Sequence, residues 1–251
     1  MRNFGLIGNP LSHSFSKKYF TNKFKKESIL DANYELFPIK EIDEIKLLLQ
    51  EQKDLLGLNV TIPYKQAVIP YLDELDPTAK AVGAVNTIKI STLENVQVQL
   101  KGYNTDVIGF RQSLKPFLAK EHERALIFGN GGASKAVSYV LDQLNIPHFI
   151  VSRNPTGVKA ISYSELDEAS VSRFQLLINC TPLGMSPNLD QMPPIPMDAV
   201  GKKHLAYDLV YNPLETKFLA MAKAKGALTV NGLSMLQLQA EAAWKIWNEE
   251  K

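Results

Sequence analysis

Short apolar runs separated by stretches of helical period recur along the chain, and this alternation predicts an α/β protein. Phe4–Ile7, Tyr34–Pro38 and Leu56–Ile62 read as the first three strands, the last of them stopped by Pro63. Helices are expected from about Ser16 and over Glu41–Gln50. Asn86–Ile90 and Val96–Lys101 read as a strand pair across a polar turn. The alternation resumes at Arg124–Phe128 and continues through Phe149–Ser152, Leu176–Asn179, Leu205–Leu209 and Leu228–Val230. A final helix from about Leu233 puts Leu236, Ala240, Ala243, Trp244 and Trp247 on one face, so that face must dock on another element.

The pattern divides near residue 103. Gly102-Tyr103-Asn104-Thr105-Asp106 is turn-rich, a helical pattern follows it, and a fresh βαβ unit begins at Arg124. A chain of 251 residues accommodates one large domain or two modest ones. The formal net charge of +2 gives no general affinity for nucleic acid or membranes, so neither is expected as a partner. Cys180 is the single cysteine, which excludes an internal disulfide and fits a reducing cytosol. Arg2 is followed closely by Gly5, Gly8 and Pro10, so no apolar leader core develops, and no apolar run approaches the length of a membrane span. A cytoplasmic location is the expectation. The four histidines, His13, His122, His148 and His204, are scattered outside any ligand motif, and no metal is expected.

The strongest local signal is a glycine loop. The strand Arg124–Phe128 runs directly into Gly129-Asn130-Gly131-Gly132-Ala133-Ser134, and a helix is expected from Lys135 to about Leu144. Glycines let the backbone turn tightly and approach a pyrophosphate, while the helix N-terminus offers free N–H groups and a positive dipole end. Ser134 stands where the third glycine of the usual pattern would be. Taken alone, a plain turn between strand and helix is as good a reading. The next strand ends in Ser152-Arg153-Asn154, where an enzyme using NAD often carries an acid. An arginine there accommodates a 2′-phosphate, so the pair of signals favours NADP, although Arg153 also reads as a solvated strand-end charge.

Two further residues have both plain and chemical readings. Asn59-Val60-Thr61-Ile62-Pro63-Tyr64-Lys65 puts polar groups at the end of a buried strand, with Asn59 and Thr61 on the same side and Lys65 at the start of an expected helix. By spacing alone, Lys65 is a surface lysine. Asp106 is a good N-cap or first-turn acid for the helix after it.

Together these segments resemble the shikimate dehydrogenase family, over residues 5 to 239. The segments Asn9-Pro10-Leu11-Ser12-His13-Ser14, Asn59–Lys65, Gly83-Ala84-Val85-Asn86-Thr87 and Gly102–Asp106 are similar to its motifs in the first half. Ile178–Met185, Asp208-Leu209-Val210-Tyr211-Asn212-Pro213 and Gly232–Gln239 are similar to those in the second half. The departures are Ser152-Arg153-Asn154 where the family often has Asn-Arg-Thr, and Asn231 and Ser234 before and within the last motif.

The resemblance implies two α/β domains with a cleft between them. Residues 1–102 would bind substrate, with the helix 233–251 returning to them, and residues 103–232 would form a Rossmann-type NADP-binding domain. It implies Lys65 and Asp106 as the catalytic pair. Ser12, Ser14, Asn59, Thr61, Asn86, Tyr211 and Gln239 would join them around the substrate. Gly129, Asn130, Gly131, Gly132, Ala133, Ser152, Arg153, Asn154, Thr181, Leu209 and Gly232 would line the cofactor. The implied activity is the NADPH-dependent, reversible reduction of 3-dehydroshikimate to shikimate, a step toward chorismate and the aromatic amino acids, by a monomer or homodimer. Neutral hydroxyls and amides suit a small polyhydroxy carboxylate. The competing readings are a quinate/shikimate dehydrogenase using NAD and a non-catalytic ligand-binding homologue. Retention of both Lys65 and Asp106 weighs against the second.

Overall fold

The computed structural model describes residues 1–11, 14–92 and 98–249. The expectations attached to Ser12, His13 and the start of a strand at Val96 lie outside the described residues. The chain divides into two compact units, one of Met1–Thr105 with Gln239–Lys251 and one of Asp106–Leu238. No helix among the described residues is long and apolar enough to cross a membrane.

The first unit is built on a six-stranded mixed sheet. Its strands are β1 (Arg2–Gly8), β2 (Ala32–Pro38), β3 (Leu55–Val60), β4 (Glu74–Leu75), β5 (Thr87–Thr92) and β6 (Val98–Tyr103), in the order β2-β1-β3-β5-β6-β4. β1 lies parallel to β2 and β3, whereas β5 runs antiparallel to both β3 and β6. Side chains alternate between the faces as strand geometry requires. Ile7, Leu58 and Val60 join a core that includes Ile45 and Leu48 of helix α2 (Glu44–Glu51). Phe4, Leu6 and Tyr34 join Phe20 and Phe24 of α1 (Ser16–Lys26) on the other face. The far end of the chain closes that second face through Ala240, Ala243 and Trp247. A Cβ at Gly57 would lie 2.2 Å from Trp247 Nε1, so the glycine makes room for the indole, which donates to the Ile88 carbonyl at 2.9 Å.

Helix α2 starts three residues later than the pattern predicts. The Glu44 carboxylate accepts the backbone N–H groups of Lys40 and Glu41, both at 2.9 Å, so those residues form a cap instead of a helical turn. Lys65 lies in a run of turns leading to a single 3₁₀ turn at Ile69–Tyr71, not at the head of a helix. Helix α3 (Pro77–Val82) is capped by Asp76, which accepts from Thr78 and Ala79, and ends at Gly83 with φ 67°.

The second unit carries helix α4 (Asp106–Leu114) and six strands: β7 (Ala125–Phe128), β8 (His148–Ser152), β9 (Ala160–Ser162), β10 (Leu176–Asn179), β11 (Leu205–Asp208) and β12 (Leu228–Val230). All are parallel, in the order β12-β11-β10-β7-β8-β9. Counted from β7, this is the order 3-2-1-4-5-6 of a doubly wound dinucleotide-binding sheet. Leu126, Phe128, Val151, Leu177 and Ala206 are buried in one core with Phe218 and Leu219 of α7 (Lys217–Ala224). The remaining helices are α5 (Gly132–Gln143), α6 (Glu168–Arg173) and α8 (Leu233–Asn248), the last spanning the boundary between the units.

Candidate active site

Parallel strands present ligands at their carboxyl ends, and in the first unit that edge gathers the polar residues of three segments. Thr61 follows β3 and donates its backbone N–H to the Ile7 carbonyl at 3.0 Å, while Asn9 N–H donates to the Ile62 carbonyl at 3.1 Å. A Cβ at Gly8 would lie 2.4 Å from Thr61 Cγ2, so the glycine lets the end of β1 lie this close to Thr61. Ser14 Oγ accepts the Ser16 N–H at 3.3 Å at the entry to α1.

Lys65, half-buried, accepts the Val85 N–H on its backbone carbonyl at 2.7 Å. The adjacent Asn86 is 3% exposed and is the centre of a buried network. Its Oδ1 accepts the Thr105 N–H at 2.7 Å, and its Nδ2 donates to Thr105 Oγ1 at 2.9 Å and to Gln239 Oε1 at 3.3 Å. Thr105 immediately precedes Asp106, which opens α4 and is itself buried. Asn86 and Gln239 therefore meet.

Asn59 faces into the fold. Its Oδ1 accepts from the buried Tyr34 hydroxyl at 2.8 Å, and its Nδ2 donates to the Asn86 carbonyl and to Thr87 Oγ1, both at 3.3 Å. Burial holds the Tyr34 phenol above its ordinary range, so it remains a donor.

In the second unit the strand order reverses between β7 and β10, and the loops leaving those two strands come together. Gly129 adopts φ +102°, and a Cβ there would lie 3.0 Å from Thr181 Cγ2. Cys180 N–H donates to the Phe128 carbonyl at 2.9 Å. Helix α5 begins at Gly132, three residues before the predicted start, with Gly131 as its N-cap. Ser134, at the position of the usual third glycine, is fully buried and donates to the Gly131 carbonyl at 2.7 Å. Asn130 Nδ2 reaches the Asn154 carbonyl at 3.5 Å, joining the glycine loop to the end of β8. Arg153 and Asn154 are exposed there. On the far side Gly232 N–H donates to the Val210 carbonyl at 3.0 Å, and a Cβ on Gly232 would lie 2.0 Å from the Leu209 carbonyl oxygen.

These residues fit a dinucleotide. Ser152 Oγ is buried at the carboxyl end of β8 without a hydrogen-bond partner, and a Cβ at Gly131 would meet nothing within 4 Å. An orphaned hydroxyl at a strand's carboxyl end is what a ligand would satisfy.

Sequence reasoning missed the groups beneath these loops. Asp208, Asn179 and Thr216 are all at most 1% exposed. Asp208 accepts from Asn179 Nδ2 and Val210 N–H, both at 3.0 Å, and from Thr216 Oγ1 at 2.6 Å. Burial pushes its carboxyl up to about 6 against the opposing pull of those three donors. The signal that could have found it is a polar residue ending each of two otherwise apolar strands, Asn179 on β10 and Asp208 on β11. Among the described residues no group of histidine, cysteine, aspartate and glutamate could hold a metal.

Residues 6–88 match the family model of the shikimate dehydrogenase substrate binding domain. A shikimate dehydrogenase (NADP(+)) of Methanosphaera stadtmanae is 36% identical over 97% of this chain and 90% of its own length. A chorismate mutase/shikimate 5-dehydrogenase fusion protein from Clostridium acetobutylicum superposes with a TM-score of 0.85 at 37% identity, covering 99% of this chain and 91% of its own. The shikimate 5-dehydrogenase of Thermus thermophilus, solved in complex with NADP(H) and shikimate, gives a TM-score of 0.85 at 30% identity over 99% of this chain and 94% of its own.

Proposed function

The chain belongs to the shikimate dehydrogenase family, and we propose that it catalyses the reversible, NADPH-dependent reduction of 3-dehydroshikimate to shikimate. The observation that carries this reading is the convergence on Val85–Asn86. Val85 fixes the backbone of Lys65, and Asn86 fixes both Gln239 and the residue before Asp106.

NADPH, when bound, supplies the hydride for the carbonyl carbon. In the proposed chemistry the Lys65 ammonium donates a proton to the carbonyl oxygen as charge develops on it, and in the oxidation direction the neutral Lys65 amine takes the proton from the hydroxyl. The Asp106 carboxylate orients the lysine and stabilises its charge. Ser12, Ser14 and Tyr211 hold the substrate carboxylate, and Thr61, Asn86 and Gln239 bind its hydroxyls. Asn59, whose amide is engaged within the fold, acts by holding Asn86 and Thr87. Gly129 to Ala133 cradle the pyrophosphate, Ser152, Arg153 and Asn154 take the adenosine side with its 2′-phosphate, and Thr181, Leu209 and Gly232 flank the nicotinamide side. The same reading assigns substrate binding to the first unit and NADP to the second, and makes the enzyme a cytosolic monomer or homodimer.

The test is a panel in which the purified chain is given shikimate or quinate with NADP or NAD, and reduced nicotinamide is followed by absorbance. Fastest turnover with shikimate and NADP is the expected result. Preference for quinate or for NAD would replace the reading with the broader dehydrogenase. Cofactor binding without turnover on any pair would replace it with a non-catalytic one.

A further inference from the structure

We propose that Asp208 is a positioning residue for the reaction, a buried carboxylate that sets the two loops at the carboxyl ends of β10 and β11. The inference rests on the cofactor assignment above and names what holds those loops in place. Asp208 ends β11 at 0% exposure, and its oxygens are shared among three separate segments. Through Oδ1 it fixes the amide of Asn179 at 3.0 Å. That amide in turn accepts from Thr181 N–H at 3.0 Å and Thr181 Oγ1 at 2.6 Å, and donates to the Leu183 carbonyl at 3.3 Å. Asn179 is thereby oriented with its oxygen toward Thr181, because its nitrogen is spent on Asp208. Oδ1 also holds the Val210 N–H at 3.0 Å, within the Leu209–Tyr211 segment. Oδ2 accepts from Thr216, whose hydroxyl caps α7 by accepting the Leu219 N–H at 3.3 Å.

A carboxylate in this place is costly, since burying a charge without a cationic partner is disfavoured. An apolar residue would avoid that cost, but it would take an acceptor from the Asn179 amide, the Val210 N–H and the Thr216 hydroxyl. Asp208 satisfies all three at once; Val210 lies in one loop assigned to ligand binding, and Asn179, at the end of β10, holds Thr181 of the other. If the residue served folding alone, its loss would lower stability and leave ligand affinity of the folded protein as it was. A positioning role moves affinity and turnover in protein that is still folded.

The experiment uses the full chain with Asp208→Asn, which keeps the volume and replaces one acceptor oxygen by an amide donor. NADP affinity is read by fluorescence titration, kcat and KM for both substrates by steady-state assay, and folding by circular dichroism and Tm. The result expected is a roughly 10-fold or greater rise in the NADP dissociation constant together with a lower kcat, in folded protein, on the scale of a misplaced charged-group hydrogen bond. Thr216→Ser, which keeps the hydroxyl, should bind NADP as the wild type does. NADP affinity and kcat unchanged in folded Asp208→Asn would overturn the proposal, whatever happens to Tm. Should Asp208→Asn not fold, Asn179→Ala cuts the same link from the loop side, and unchanged NADP affinity in that variant would overturn it equally. The titration needs no turnover. A wild type that binds NADP yet never oxidises shikimate would therefore defeat the proposed activity while leaving the role of Asp208 to be decided by affinity.

Discussion

Asn86 Oδ1 accepts the backbone N–H of Thr105 at 2.7 Å, tying the start of β5 to the residue before Asp106. The bond is buried, and the same amide reaches Gln239, which begins the returning segment of the first unit. Asn86 thus organises two stretches of chain besides its proposed contact with substrate. Asn86→Ala leaves buried donors without acceptors, at about 1–3 kcal/mol each. A fall in Tm and a drop of roughly 10- to 100-fold in kcat/KM for shikimate are the expected outcome. Full activity in this variant would contradict the network's role.

Gly57 and Trp247 give a prediction about stability alone. A methyl group at Gly57 would meet the indole at 2.2 Å, and the displaced ring would lose its bond to Ile88. Gly57→Ala should cost about 1–3 kcal/mol by overpacking, lowering Tm by roughly 3–10 °C. Tryptophan fluorescence should shift with it. Thermal denaturation of the variant indistinguishable from that of the wild type would contradict the packing.

Arg153 is exposed at the end of β8, beside the glycine loop. Arg153→Ala should raise KM for NADP by about 10- to 100-fold, the worth of a charge-assisted bond to a 2′-phosphate, and leave KM for NAD nearly unchanged. Parallel titration with the two cofactors checks it, and an equal effect on both would remove Arg153 from the discriminating role.

Asp208 also predicts a pH dependence of stability. Its folded value of about 6 lies above the ordinary 3.8, so the folded state holds a proton that the unfolded state releases. Stability from this group therefore falls as pH rises from about 4 to about 6, and the full cost of ionising it, on the order of 3 kcal/mol, stands above that window. In Asp208→Asn this contribution is absent. Urea denaturation across the window should show the difference in stability between the two proteins changing with pH. A constant difference would show that Asp208 does not titrate there.

Much of the fold was legible in the sequence because its central strands are buried on both faces and read as short apolar runs. Ala125–Phe128 and Leu176–Asn179 are fully buried strands of this kind. The glycine loop was legible because strand, glycines and helix follow one another without interruption. β9 and helices α3 and α6 were not, since β9 is half-buried along its length and offers no apolar run, and six-residue helices are too short for a period to declare itself. The turn carrying Lys65 escaped notice for a different reason. It is held by distant groups, among them the Ile39 and Lys40 carbonyls, which lie 2.8 and 2.6 Å from the Tyr64 hydroxyl. The inward role of Asn59 was hidden likewise, because its partner Tyr34 lies 25 residues away in sequence.

The most direct test of the account compares wild type and Lys65→Ala oxidising shikimate with NADP, in protein shown to be folded and to bind NADP equally. If Lys65 carries the proton, kcat falls by about 10²- to 10⁴-fold while KM for shikimate changes far less. An unchanged kcat, or a loss confined to KM, would contradict the assignment of Lys65 and with it the proposed chemistry.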